Sequence, residues 1–120
     1  MPTLIFVYNA DSGFMNGMFD FFHKMMKPST YSCELCVITH NHTGMRKAWR
    51  NYLKSLNIEK DYLHKDEFKK RFPNHANLQL PAVFLLDQDL IQIISSEELK
   101  GADLSQLTDI LKEKIVSCRI

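Results

Sequence analysis

A chain of 120 residues, 45% hydrophobic and 24% charged, has the size and balance of one globular domain that can bury a core. Fifteen basic and fourteen acidic residues leave a formal net charge of +1, which gives no overall field to recruit nucleic acid or an anionic membrane and leaves only local patches. No apolar run approaches the ~20 residues that a membrane-spanning helix needs. Three cysteines, an odd number, do not make a disulfide framework.

Met1-Pro2-Thr3 leads straight into Leu4-Ile5-Phe6-Val7-Tyr8 without the pattern of a signal peptide, so a cytoplasmic protein with mainly reduced thiols is expected. Residues 4–8 are apolar on both faces and predict a central strand. Asn9-Ala10-Asp11-Ser12-Gly13 carries turn and capping chemistry for a helix over about 13–26, which Lys27-Pro28 stops. Phe14, Met18, Phe21, Phe22 and Met25 recur on one face of that helix, as core packing requires.

Cys33-Glu34-Leu35-Cys36-Val37-Ile38-Thr39-His40 is apolar and β-branched, and predicts a second strand with its core at residues 35–39. A turn at Asn41-His42-Thr43-Gly44 follows, with Thr43 as the expected cap of an amphipathic helix over about 44–56. Met45, Ala48, Trp49, Tyr52, Leu53 and Leu56 fall on one side of it, and Arg46, Lys47, Arg50 and Lys54 largely on the other. Tyr62-Leu63-His64 fits a short third strand or an extended connection. A brief helix capped by Asp66 and anchored by Phe68 and Phe72 then runs to Pro73.

Leu80-Pro81-Ala82-Val83-Phe84-Leu85-Leu86, the polar break Asp87-Gln88-Asp89 and Leu90-Ile91-Gln92-Ile93-Ile94 predict a hairpin opened by proline, which a strand tolerates at its first position. After Ser95-Ser96-Glu97-Glu98-Leu99, a last helix over about 103–116 places Leu104, Leu107, Ile110, Leu111 and Ile115 on one face. Strand-helix alternation closed by a hairpin implies one α/β domain over residues 1–120, a mixed sheet with helices on both faces.

In this order of elements, and in the Leu80 to Leu86 segment, the chain resembles the thioredoxin-like superfamily. Glutaredoxins are similar over residues 68–99. The resemblance implies a three-layer fold of parallel strands, a C-terminal antiparallel hairpin and a terminal helix, with a cis peptide bond at Leu80-Pro81. The family's redox cysteines belong where the first strand turns into its helix, since a helix N-terminus stabilises a thiolate. That position here reads Ala10-Asp11-Ser12-Gly13, without cysteine.

Cys33 and Cys36 form a C-x-x-C pair elsewhere, placed by the expected strand order at the opposite pole of the sheet from the first strand-helix turn. With His40 and His42 they invite a zinc reading. An extended chain from Cys36 to His40 would separate the two by ~13 Å and prevent both from reaching one ion. No metal or cofactor is therefore expected.

Asn9, Asp11, Ser12, Gly13, His40, His42, Thr43 and Arg46 gather in sequence terms at the carboxyl ends of strands, with the Pro81 loop at the same pole, where open α/β sheets bind ligands and helix N-termini offer amides to anions. The leading expectation is a non-catalytic thioredoxin-like domain that binds a small anionic ligand or a partner protein at that pole. A conventional oxidoreductase is not expected. The alternative is a thiol-disulfide or metal-binding protein using Cys33 and Cys36, with Cys118 accessory. A third expectation is association through the basic helix or a sheet edge, including as a homodimer. Neither a membrane nor nucleic acid is implied as a partner.

Overall fold

The computed structural model describes residues 2–9, 34–41 and 44–117, the side chains at 34, 36, 37, 41 and 44 excepted. The expected helix over 13–26, with its Phe and Met stripe, lies outside them, as do Asp11, Ser12, Gly13, Cys33, His42, Thr43 and Cys118.

The described elements begin with β1 (Thr3–Val7), α1 (Glu34–Thr39), β2 (His40–Asn41), β3 (Gly44–Met45), α2 (Lys47–Ser55) and β4 (Glu59–Leu63). The chain continues with α3 (Lys65–Arg71), a 3-10 turn at Pro73–His75, β5 (Ala82–Asp87), β6 (Asp89–Ile94), α4 (Ser96–Leu99) and α5 (Leu104–Ser117). Four strands form a mixed sheet in the order β4-β1-β5-β6, with β2 and β3 as a separate two-stranded ribbon. Strands β1 and β4 are parallel, with Val7 beside Leu63, whereas β1-β5 and β5-β6 are antiparallel, with Val7 opposite Ala82 and Val83 opposite Ile94.

Strand β1 is interior to the sheet, as its two-faced apolar pattern requires, and every residue from Leu4 to Tyr8 is buried. Its side chains alternate between two cores. Leu4, Phe6 and Tyr8 join Leu35, Trp49, Leu53, Leu99, Leu107 and Leu111 from the helices on one face. Ile5 and Val7 join Leu63, Phe68 and Phe84 on the other. Helices therefore pack on both faces. Full burial of Trp49, Phe6, Phe68 and Phe84 contributes on the order of 2–3 kcal/mol each.

The expected strand at residues 35–39 is instead helix α1. Its hydroxyl chemistry shows why: Thr39 Oγ1 donates to the Leu35 carbonyl at 2.8 Å, an i to i−4 bond available only in a helical turn. Leu35, Ile38 and Thr39 are all buried, a spacing that follows the helical period. Packing overrides the β-branched propensity of Val37-Ile38-Thr39.

The parallel partner of β1 is β4, which begins at Glu59, three residues before the expected strand. Helix α2 starts at Lys47 rather than near residue 44 because Gly44 and Met45 pair with Asn41 and His40. Its N-cap is Arg46, with no side-chain cap bond. Helix α3 is capped by His64 rather than Asp66: the Glu67 carboxylate accepts the His64 backbone N–H at 2.8 Å and meets its imidazole.

The hairpin forms as its pattern predicts, with Gln88 at φ 71 in the tight turn. The Leu80-Pro81 peptide bond is cis. Ser95 caps α4, accepting from the Glu98 amide at 3.3 Å, and Gly101 at φ 70 lets the chain turn from α4 toward α5.

Candidate functional site

The strand pairings bring one set of chain ends to a common pole. The carboxyl ends of β1, β4 and β6 lie there, together with the amino end of β5, so Tyr8, His64, Ser95 and Pro81 stand at the same end of the sheet. Pro81 directly precedes the residue opposite Val7, and it is buried. Asn9, half-buried, follows Tyr8.

Helix α1 and the β2-β3 ribbon add a polar corner to this pole. The His40 ring meets the Tyr8 ring edge-on, at 5.8 Å between centroids and 81° between planes. His40 Nδ1 lies 2.8 Å from Thr39 Oγ1, and the Thr39 hydroxyl also hydrogen-bonds the Tyr8 phenol. Arg46 is tied to the same turn by its backbone N–H, which donates to the Thr39 carbonyl at 2.8 Å. Of the nine residues expected to line the ligand site, the structure thus brings His40 and Arg46 together and sets Asn9 and Pro81 beside the end of β1. The other five lie outside the described residues.

Counting protons fixes the roles in this cluster. Thr39 has one hydroxyl proton and spends it on the Leu35 carbonyl, so in its contact with His40 it accepts from Nδ1–H. The fully buried Thr39 hydroxyl is then engaged as both donor and acceptor, and His40 is held as the Nδ1–H tautomer with a lone pair on Nε2. Burial, and then the Arg46 guanidinium, pull the His40 pKa from its ordinary 6.5 down to about 4. Burial and the nearby Tyr62 hold the Tyr8 phenol well above its ordinary value, against the opposing Thr39 hydrogen bond. Near neutral pH the corner carries an uncharged base and one fixed cation.

Arg46 is exposed and has no carboxylate within ion-pair distance among the described residues. It opens onto a cavity of about 390 Å³ lined also by Ile38, Ala102, Asp103 and Leu104. Asp103 sits at its rim with its carboxylate engaged, accepting from the Gln106 amide at 2.8 Å as the cap of α5.

Helix α1 also changes the place of Cys36. Cys36 lies within α1, one helical turn and roughly 6 Å of rise from His40, and neither at the opposite pole nor ~13 Å away along a strand. Among the described residues no group of three or more His, Cys, Asp and Glu side chains converges as a metal site, and no helix is long and apolar enough to cross a membrane.

Sequence reasoning missed Tyr8 and Thr39, reading the first as the end of an apolar strand and the second as a strand residue. It also missed His64 and Glu67. The signal for this pair was in the chain: a polar residue followed three positions later by Glu, ahead of Phe68, is a capping-box pattern. No family model, curated protein or solved structure matches the chain.

Proposed function

We propose that this chain is a thioredoxin-like domain without the family's cysteine pair at the first strand-helix turn, and that it binds a small anion at the strand-end pole beside Arg46. Support for the frame comes from the strand order: a parallel pair β1-β4, then β5 and β6 antiparallel in turn, with helices on both faces. One observation carries the site. Arg46 has no ion-pair partner among the described residues, faces a cavity and stands next to a histidine that burial keeps neutral. A guanidinium so placed favours a compact oxyanion, which its planar fork of donors can bind in pairs.

The test is an NMR titration with inorganic phosphate. Saturable shifts at Tyr8, His40 and Arg46, lost in Arg46→Ala, are the expected result. Shifts that persist in that exposed-residue variant, or none at millimolar phosphate, would refute the site.

A second reading, a thiol or metal protein using Cys33 and Cys36, gains from one finding: α1 sets the Cys36 backbone one turn from His40. Insulin reduction that is lost in Cys36→Ser, or stoichiometric zinc in freshly purified protein, would favour it over the anion site.

A further inference from the structure

A second cavity, of about 200 Å³, lies between α2 and the sheet edge and is lined by Met45, Arg50, Leu53, Lys54, Lys60 and Tyr62. Its walls divide by chemistry. Leu53 belongs to the apolar core and Met45 packs against it, whereas Arg50, Lys54 and Lys60 bring three cations to the rim with no carboxylate among the lining residues.

The charge segregation follows from strand alternation. Along β4, Lys60 and Tyr62 point to the α2 side, while Glu59, Asp61 and Leu63 point to the other. Leu63 packs in the core that contains Phe68 of α3, and Asp61 pairs with Arg71 at 2.7 Å. The acids of β4 thus face away from the groove. Arg50 and Lys54 are one turn apart on α2, both exposed, and neither has an ion-pair partner among the described residues.

Two features fix the groove in shape. Lys60 Nζ donates to the Leu56 and Ile58 carbonyls, each at 2.9 Å, which anchors the ammonium and leaves one of its three N–H groups free. The Tyr62 ring stacks on Phe6 at 5.4 Å and 15°, yet the residue is 39% exposed, because β4 is an edge strand. One face of the ring is fastened to the core and the other is open. An anchored cation, two unpaired cations, an apolar floor and a fixed aromatic platform suit an anion with a flat apolar body better than a bare ion, which would leave the floor and ring unused.

We propose that the groove between α2 and β4 binds a small aromatic anion, its ring against Tyr62, Met45 and Leu53 and its phosphate or carboxylate held by Arg50, Lys54 and Lys60. This site is separate from the one at Arg46. The volume sets the ligand at roughly one or two fused rings, below the usual size of drug-like ligands.

The probes are 1-naphthyl phosphate and 1-naphthoate, titrated by calorimetry, with 1-naphthol and inorganic phosphate as half-ligands. Both full probes are expected to bind, more weakly as salt rises, with each half-ligand at least ~10-fold weaker, equivalent to ~1.4 kcal/mol. The two headgroups distinguish a phosphate ester from a carboxylate as the natural chemistry. Arg50→Glu with Lys54→Glu changes only exposed helix positions and is expected to abolish binding, while Arg46→Ala leaves it intact. Loss in Arg46→Ala but not in the double variant would place the probe at the other site and overturn the proposal. So would equal binding of naphthol and naphthyl phosphate, or no binding by either full probe at millimolar concentration.

Discussion

The two faces of β1 are closed by different chemistry. On one, Ile5 and Val7 meet Leu63, Phe68, Ala82 and Phe84, and Phe72, Leu80, Leu86 and Leu90 pack around them, all apolar. On the other, an apolar core of similar build ends at Tyr8 in a polar corner, where a phenol, a threonine hydroxyl and an imidazole share hydrogen bonds inside the fold. The apolar face needs only volume filled and water excluded, so its stability tracks packing and is indifferent to protons. The corner needs each donor and acceptor matched, so its stability depends on hydrogen-bond count and pH, the properties from which a binding site can be made.

The largest test of this contrast is on the apolar face. Phe84 is fully buried and its ring stacks on Phe68 at 5.0 Å and 23°. Phe84→Ala is expected to lower unfolding free energy by about 3–5 kcal/mol, through lost transfer energy and the cavity left behind. The loss in urea denaturation should be the same at pH 5 and pH 7. A loss that changed strongly with pH would mean that this face also depends on an ionisable group.

Thr39→Val makes the matching test in the corner with almost no change of volume. The hydroxyl donates to Leu35 and accepts from His40, so its removal takes away the Leu35 bond and leaves the half-buried imidazole N–H without that acceptor. The expected cost is about 1–3 kcal/mol, set by the unpaired imidazole donor rather than by a cavity. A cost below about 0.5 kcal/mol would show that these groups find other partners, and that the corner is less tightly matched than its geometry implies.

The same contrast explains what could be read from the chain. Strand β1, the β5-β6 hairpin and helices α2 and α5 are long enough, or apolar enough, for their period and bounding residues to declare them. Segment 34–39 is too short for a helical period to show, and its β-branched residues favour strand until packing against Leu99 and Leu107 decides otherwise. Strand β4, Glu59-Lys60-Asp61-Tyr62-Leu63, is mostly polar because it is an edge strand, so only its last two residues were expected as strand, and its pairing with β1 identifies the rest. His40 and Arg46 were legible as polar residues near a strand end. Tyr8 and Thr39 were not, because their part depends on a contact between segments about thirty residues apart along the sequence.

The finest test titrates the corner itself. Folded His40 has a pKa of about 4 against an ordinary 6.5, with burial the main cause and Arg46 the lesser. Between those two pH values the unfolded chain binds a proton that the folded chain refuses, so acidification favours unfolding. No penalty operates above about pH 6.5; it grows as pH falls and levels off below about pH 4. Because part of the ring meets solvent, the discounted effect is about 2 kcal/mol rather than the full conversion of the shift. His40→Gln keeps a side-chain donor for Thr39 and removes the titration, so the wild type is expected to lose about 2 kcal/mol more than this variant between pH 7 and pH 4. Glu98, held below its ordinary value first by the Ser95 backbone hydrogen bond, adds an acid loss common to both proteins. Equal losses in the two would remove His40 as the responsible group. An anion bound beside Arg46 offsets the charge that helps keep His40 neutral, so sulfate should raise the His40 pKa, and by linkage the site should hold sulfate more tightly once His40 is protonated. Sulfate that left the His40 titration unmoved would separate the corner from the anion site, leaving the hydrogen-bonded cluster as a structural closure of that face.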